Sequence, residues 1–182
     1  MKKIILTYGF ISGAICSGLM ALSLVFAHRI GYEHSMYVGY TIMVLSFLLV
    51  YFGVRSYRND ERAGYITFGQ AFGVGMCIML ITCACYVISW LIMYYAFMPD
   101  FFDKYAVYVV EKARAAGASP AVLQAKAAQM QHAKEMYANP LFNAAMTFLE
   151  PLPVGLLMTL LSAAILRRKP HTQSAPSTAA SN

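Results

Sequence analysis

Four long apolar stretches alternate with polar connectors along the chain, at residues 4–27, 36–54, 68–98 and 140–166. Each reaches the roughly 18 apolar residues that suggest a membrane-spanning helix. The pattern predicts an all-α, four-helix transmembrane bundle, with residues 1–169 as one integral membrane domain. Residues 99–139 are more polar and predict a helical extramembrane loop between the third and fourth helices. Residues 170–182 show no hydrophobic periodicity and predict a disordered tail.

The first run carries Val25-Phe-Ala27, which resembles a signal-peptide cleavage site, but it is longer than the 7–15 apolar residues typical of a cleaved signal. It predicts a first transmembrane helix. Along it Gly9, Gly13 and Ser17 recur every fourth residue, a stripe of small side chains where another helix can approach closely. A short connector, from His28 and Arg29 to His34, leads to Ser35 as expected cap of the second helix. The charged segment 55–62 then reads as a connector. Thr67 and Gln70 stand at capping-box spacing at the start of the third helix. Gly69 and Gly73 begin a second small-residue stripe. The third run exceeds what a core of about 30 Å needs, so that helix is expected to tilt or protrude. Trp90, Tyr94 and Tyr95 mark its interfacial end.

In the loop, Phe102, Tyr105 and Val109 share a helical face opposite Lys104 and Glu111, as in a helix lying on a membrane surface. Gly117 and Pro120 break that helix, and Ser119-Pro120 starts an Ala- and Gln-rich second piece. Asn139-Pro140 opens the fourth helix by the same cap-then-proline logic.

Composition agrees with the membrane class. The chain of 182 residues is 59% hydrophobic and 12% charged, with mean hydropathy +0.56; a soluble domain carries about 25% charge. The net charge of +6 comes from Lys and Arg that flank apolar runs, where they meet lipid headgroups, so nucleic acid is a poor partner. With both termini cytoplasmic, one side holds Lys2, Lys3, Arg55, Arg58, Arg62, Arg167, Arg168 and Lys169 in short flanks. The other side holds Arg29 and five basic residues diluted along the loop. Basic density next to the spans favours that orientation.

Candidate chemistry is sparse. Cys16, Cys77, Cys83 and Cys85 lie in apolar runs without metal-ligand spacing. Zinc-protease, serine-hydrolase and phosphate-loop motifs are absent, so the expectation is a protein with no catalytic residues, metal or cofactor. Glu150 stands out. It lies inside the fourth run, next to Pro151 and two residues before Pro153. A carboxylate in hydrocarbon costs about 2.5–3.5 kcal/mol and is a functional lead by default. Both prolines lack the amide proton, so the carbonyls of Thr147 and Leu149 lose their helical partners and the helix should kink. Freed acceptors beside a carboxyl group resemble the ion sites of transporters. Buried, Glu150 could carry a proton; paired with Arg29, His28 or His34, its candidate partners, it would stay ionised. The bland alternative is a headgroup-level carboxylate at a structural kink.

Gly64-Tyr-Ile-Thr-Phe-Gly-Gln-Ala-Phe72, Pro99-Asp-Phe101, Thr147-Phe-Leu-Glu-Pro-Leu-Pro-Val-Gly155 and Ser162-Ala-Ala-Ile-Leu-Arg-Arg168 together resemble the domain of unknown function 4199 family over nearly the whole chain up to the tail. The resemblance implies a small bacterial inner-membrane protein of four helices and carries over no catalytic residue. The leading expectation is a structural or interaction role in the bilayer, as a homo-oligomer or with a membrane-protein partner. The alternative is a small proton- or ion-coupled transporter using Glu150 at the proline kink.

Overall fold

A computed structural model describes the backbone of residues 1–30 and 32–168, with the side chains of 25–36 left out. The expected tail lies outside the described residues. The described chain is all α: α1 (Lys2–Ile30), α2 (Tyr32–Glu61), α3 (Phe68–Ile92), α4 (Phe101–Ala115), α5 (Pro120–Tyr137), α6 (Pro140–Leu149) and α7 (Leu152–Leu166). A π-helical turn, Met93–Phe97, ends α3. Among the described residues four segments are long and apolar enough to cross a membrane: Lys2–Leu24, Tyr37–Glu61, Phe68–Phe97 and Pro140–Leu166.

The surface fits hydrocarbon better than water. Phe10, Ile15, Leu45, Phe52, Ile88 and Ile165 are all exposed, whereas Ser12, Ser46, Thr82, Thr159 and Ser162 are buried. In lipid this inversion is the stable arrangement, because apolar side chains outside lose nothing and hydroxyls inside find backbone acceptors. The Ser12 hydroxyl donates across helices to the Ser46 carbonyl at 2.8 Å, and Thr82 donates to Ile78 at 3.0 Å.

Both ends of the second helix differ from the expectation. The second helix does not stop at Val54 but runs through the charged segment to Glu61. Its polar residues bond along the helix, Ser56 to Asp60 at 2.6 Å, and Arg58 lies in the last turn, where a cation complements the helix dipole. The stop comes at Ala63 and Gly64, both with positive φ, and the Gly64 amide closes on the Arg58 carbonyl at 2.9 Å. Ser35 lies inside α2 and does not cap it, since the helix starts at Tyr32. The loop between the third and fourth spans is two helices, α4 and α5, which turn at Gly117 (φ +78) and pack on each other as a hairpin.

Packing tells the two ends of the bundle apart. At the end that carries Met1 and Arg168, hereafter the terminal end, α7 packs on both α2 and α3. Phe47, Val50, Val54, Ile78 and Thr159 are fully buried there. A Cβ on Gly155 would lie 2.6 Å from Met79 Cγ and 2.9 Å from Phe47 Cζ, so only glycine permits this helix separation. An antiparallel backbone pair between Ile66 and Arg168, at 3.1 and 2.9 Å, ties the end of α7 to the α2–α3 turn. At the hairpin end, α6 packs on α3 and α5 and touches α2 little if at all. The break between α6 and α7 falls where the packing partners of this span change.

Candidate functional site

A chamber of about 650 Å³ opens where α6 parts from α2, beneath the α4–α5 hairpin. Its walls come from Met20 and Leu24 on α1, Ile42 and Met43 on α2, Tyr86 and Trp90 on α3, and Met146 on α6. Phe101, Phe102 and Tyr105 of α4 with Met130 and Tyr137 of α5 form the roof. Glu150 lines the chamber.

The floor follows from the proline break. Glu150 and Pro151 keep right-handed helical dihedrals, but the α-helical run is interrupted between Leu149 and Leu152. Pro151 is buried and Pro153 exposed. The missing amide protons leave the Thr147 and Leu149 carbonyls without their usual donors. Glu150 itself is exposed, and its Oε2 accepts a hydrogen bond from the buried Tyr86 hydroxyl at 3.1 Å. Its hydrogen bond to Tyr86 and its place in the lining put it beside α3 at the chamber.

A polar stripe seats α6 on α3. Asn143, Thr147 and Glu150 stand at i, i+4 and i+7, which puts them on one helical face. Opposite them, Tyr86 and Trp90 stand four apart on α3. The Trp90 indole donates to Asn143 Oδ1 at 2.9 Å, Thr147 donates to the same oxygen at 3.3 Å, and Asn143 Nδ2 donates to the Tyr137 carbonyl at 3.4 Å. The Asn139 side chain accepts from the Leu141 amide at 2.9 Å and fixes where α6 begins. This stripe was readable as spacing in the sequence, but its partners on α3 were not.

Aromatic contacts carry the roof. Trp90 meets Phe101 edge-on at 5.4 Å, Phe102 lies 4.9 Å from Tyr137, and Tyr137 meets Phe142 at 5.6 Å. Lys134 pairs with Asp103 across the hairpin at 2.5 Å, and the Tyr95 hydroxyl donates to the Tyr137 carbonyl at 3.2 Å. Partial burial pushes the Tyr137 phenol above its ordinary pKa, and the carboxylate of Glu150 adds to that direction. Lys104 at the rim pairs with Asp100 at 2.6 Å.

The remaining expected residues fall elsewhere. Gly9 and Gly13 face α3: a Cβ on Gly9 would lie 2.9 Å from Ile81 Cβ, and one on Gly13 2.6 Å from Cys85 Cβ. Ser17 donates to the Cys85 carbonyl at 3.3 Å. Gly69 and Gly73 meet nothing within 4 Å and leave an open strip on α3. Thr67 and Gln70 form the reciprocal capping box, at 3.3 and 3.4 Å, far from the chamber. The side chains of His28, Arg29 and His34 lie outside the described residues, as does any pairing of them with Glu150. Among the described residues no group of three His, Cys, Asp or Glu stands close enough to hold a metal ion.

Four apolar spans, a lipid-compatible surface and an interior hydroxyl network define an integral, multi-pass α-helical membrane protein. A family model described as "Protein of unknown function (DUF4199)" matches residues 7–168, and the chain belongs to that family. No curated protein and no solved structure matches it.

Proposed function

We propose that this protein has an interaction role in the bacterial inner membrane, and that it acts by binding a small molecule in the chamber beneath the hairpin, not by catalysis. The supporting observation is the difference in closure along one bundle. The chamber has the volume of small-molecule pockets, roughly 300–1,000 Å³, and their mostly apolar lining with a few polar groups. Below Glu150 the interior is filled by Phe47, Met79 and Thr159. A site closed at one end suits binding; carriage across the membrane needs a second, open arrangement of the same helices.

The orientation with both termini cytoplasmic belongs to this proposal and puts the hairpin and the chamber mouth on the opposite side. The open Gly69 and Gly73 strip leaves room for a helix of a second copy or of a membrane partner. Transport of a proton or ion through Glu150 is the second reading, favoured by the broken helix beside the carboxyl group.

Native mass spectrometry of the protein in a mild detergent tests the proposal. The expected spectrum shows a bound mass that survives purification and disappears in Gly39→Phe, since Gly39 lines the chamber and a Cβ there meets nothing within 4 Å. Retention of the same mass by the folded variant would place the ligand elsewhere.

A further inference from the structure

We infer that the chamber selects amphiphiles with a protonated amine head and an apolar body. This inference rests on the proposal that the chamber binds a small molecule, and names the chemical class. The charge lies at the floor. Among the described residues Glu150 has one hydrogen-bond donor, the Tyr86 hydroxyl, and no Lys or Arg pairs with it. Lys104, the basic residue of the lining, stands at the rim and is engaged by Asp100. A carboxylate in a low-dielectric site gains most from a cation that arrives with its own donors. An ammonium group supplies three donors and a full charge; an alcohol supplies one donor and no charge, and a carboxylate is repelled.

The walls fit the same ligand. Trp90 and Tyr86 present aromatic rings next to the floor, and aromatic faces attract ammonium groups. Above them Met20, Met43 and Met146 offer flexible, polarizable side chains that adapt to apolar bodies of varied shape. A neutral amine entering beside a protonated Glu150 leads to the same pair: the carboxyl proton moves to the amine nitrogen, and carboxylate and ammonium remain. Charge and atoms balance without a further reactant.

The chain carries its own reporter, because its single tryptophan, Trp90, lines the chamber. In lipid nanodiscs, Trp90 fluorescence is titrated with a brominated alkylamine, and with the brominated alcohol and carboxylic acid of equal length. The expected result is saturable quenching by the amine at concentrations about tenfold below those for the alcohol. Glu150→Gln should remove that preference while keeping saturable quenching, and Gly39→Phe should abolish saturation for all three. Saturation with equal affinity for amine and alcohol would overturn the amine class and leave the chamber as a binding site. An amine preference that survives in Glu150→Gln would overturn the role of the carboxylate. Quenching that rises linearly with bilayer partition for every probe would overturn both the class and the site. Should Glu150→Gln fail to fold, Tyr86→Phe replaces it. The amine preference should then persist, because the carboxylate remains, and its loss would count against direct recognition by Glu150.

Discussion

The two halves of this bundle are built from the same helices and obey different packing rules. At the terminal end α7 presses between α2 and α3, with Gly155 against Met79 and Phe47. At the hairpin end the same span, interrupted at Glu150 and Pro151, packs on α3 and α5 and borders a chamber. In lipid, close helix packing is a main source of association, so small residues at a crossing hold the compact half together. The open half replaces that packing with directed polar contacts, Trp90 to Asn143 and Tyr86 to Glu150, and with an aromatic roof. Close packing is concentrated in one half and open space in the other. A proline break converts one arrangement into the other within a single turn.

Added volume should affect the two halves differently. Gly155→Leu must displace Met79 and Phe47, and thermal unfolding in detergent should show a loss of about 1–3 kcal/mol or failure to fold. Next comes the polar seat of α6. Asn143→Leu strands the Trp90 indole and the Thr147 hydroxyl, with an expected cost of about 1–2 kcal/mol and a shift in tryptophan emission. Thr67→Ala removes half of the capping box at the terminal end of α3, and denaturation should report about 1 kcal/mol. The smallest effect is expected from Gly39→Leu. The same kind of change as at Gly155 here projects into the chamber, so stability should move by no more than about 0.5 kcal/mol. Equal penalties at Gly155 and Gly39 would erase the distinction between the halves.

Much of the compact half was legible in the sequence. The four spans follow from run length, the start of α3 from Thr67 and Gln70, and the helix break from two prolines that cannot donate. The stripe of Gly9 and Gly13 marked a close contact without naming α3 as its partner. Gly53, Gly75 and Gly155, which also sit at tight crossings, do not recur in a stripe and gave no signal. The continuation of α2 through Arg55 and Glu61 was hidden because charge near a span end reads as a connector, whereas helix geometry is indifferent to it in water. Glu150 was visible as an anomaly, but the chamber was not. A cavity depends on which helices separate, and that depends on the directions of α6 and α7, which no local pattern records. Tyr86 likewise looked like one aromatic among many until α6 brought Glu150 to it.

Reaction of introduced thiols tests the contrast between the halves most directly. In a background with Cys16, Cys77, Cys83 and Cys85 replaced, single cysteines at Gly39, Thr147, Val50 and Thr159 are exposed to a membrane-impermeant thiol reagent added on the hairpin side. Modification is expected at positions 39 and 147, which line the chamber, and none at 50 and 159, which lie in the filled half. Modification of all four at similar rates, or of none, would contradict that contrast.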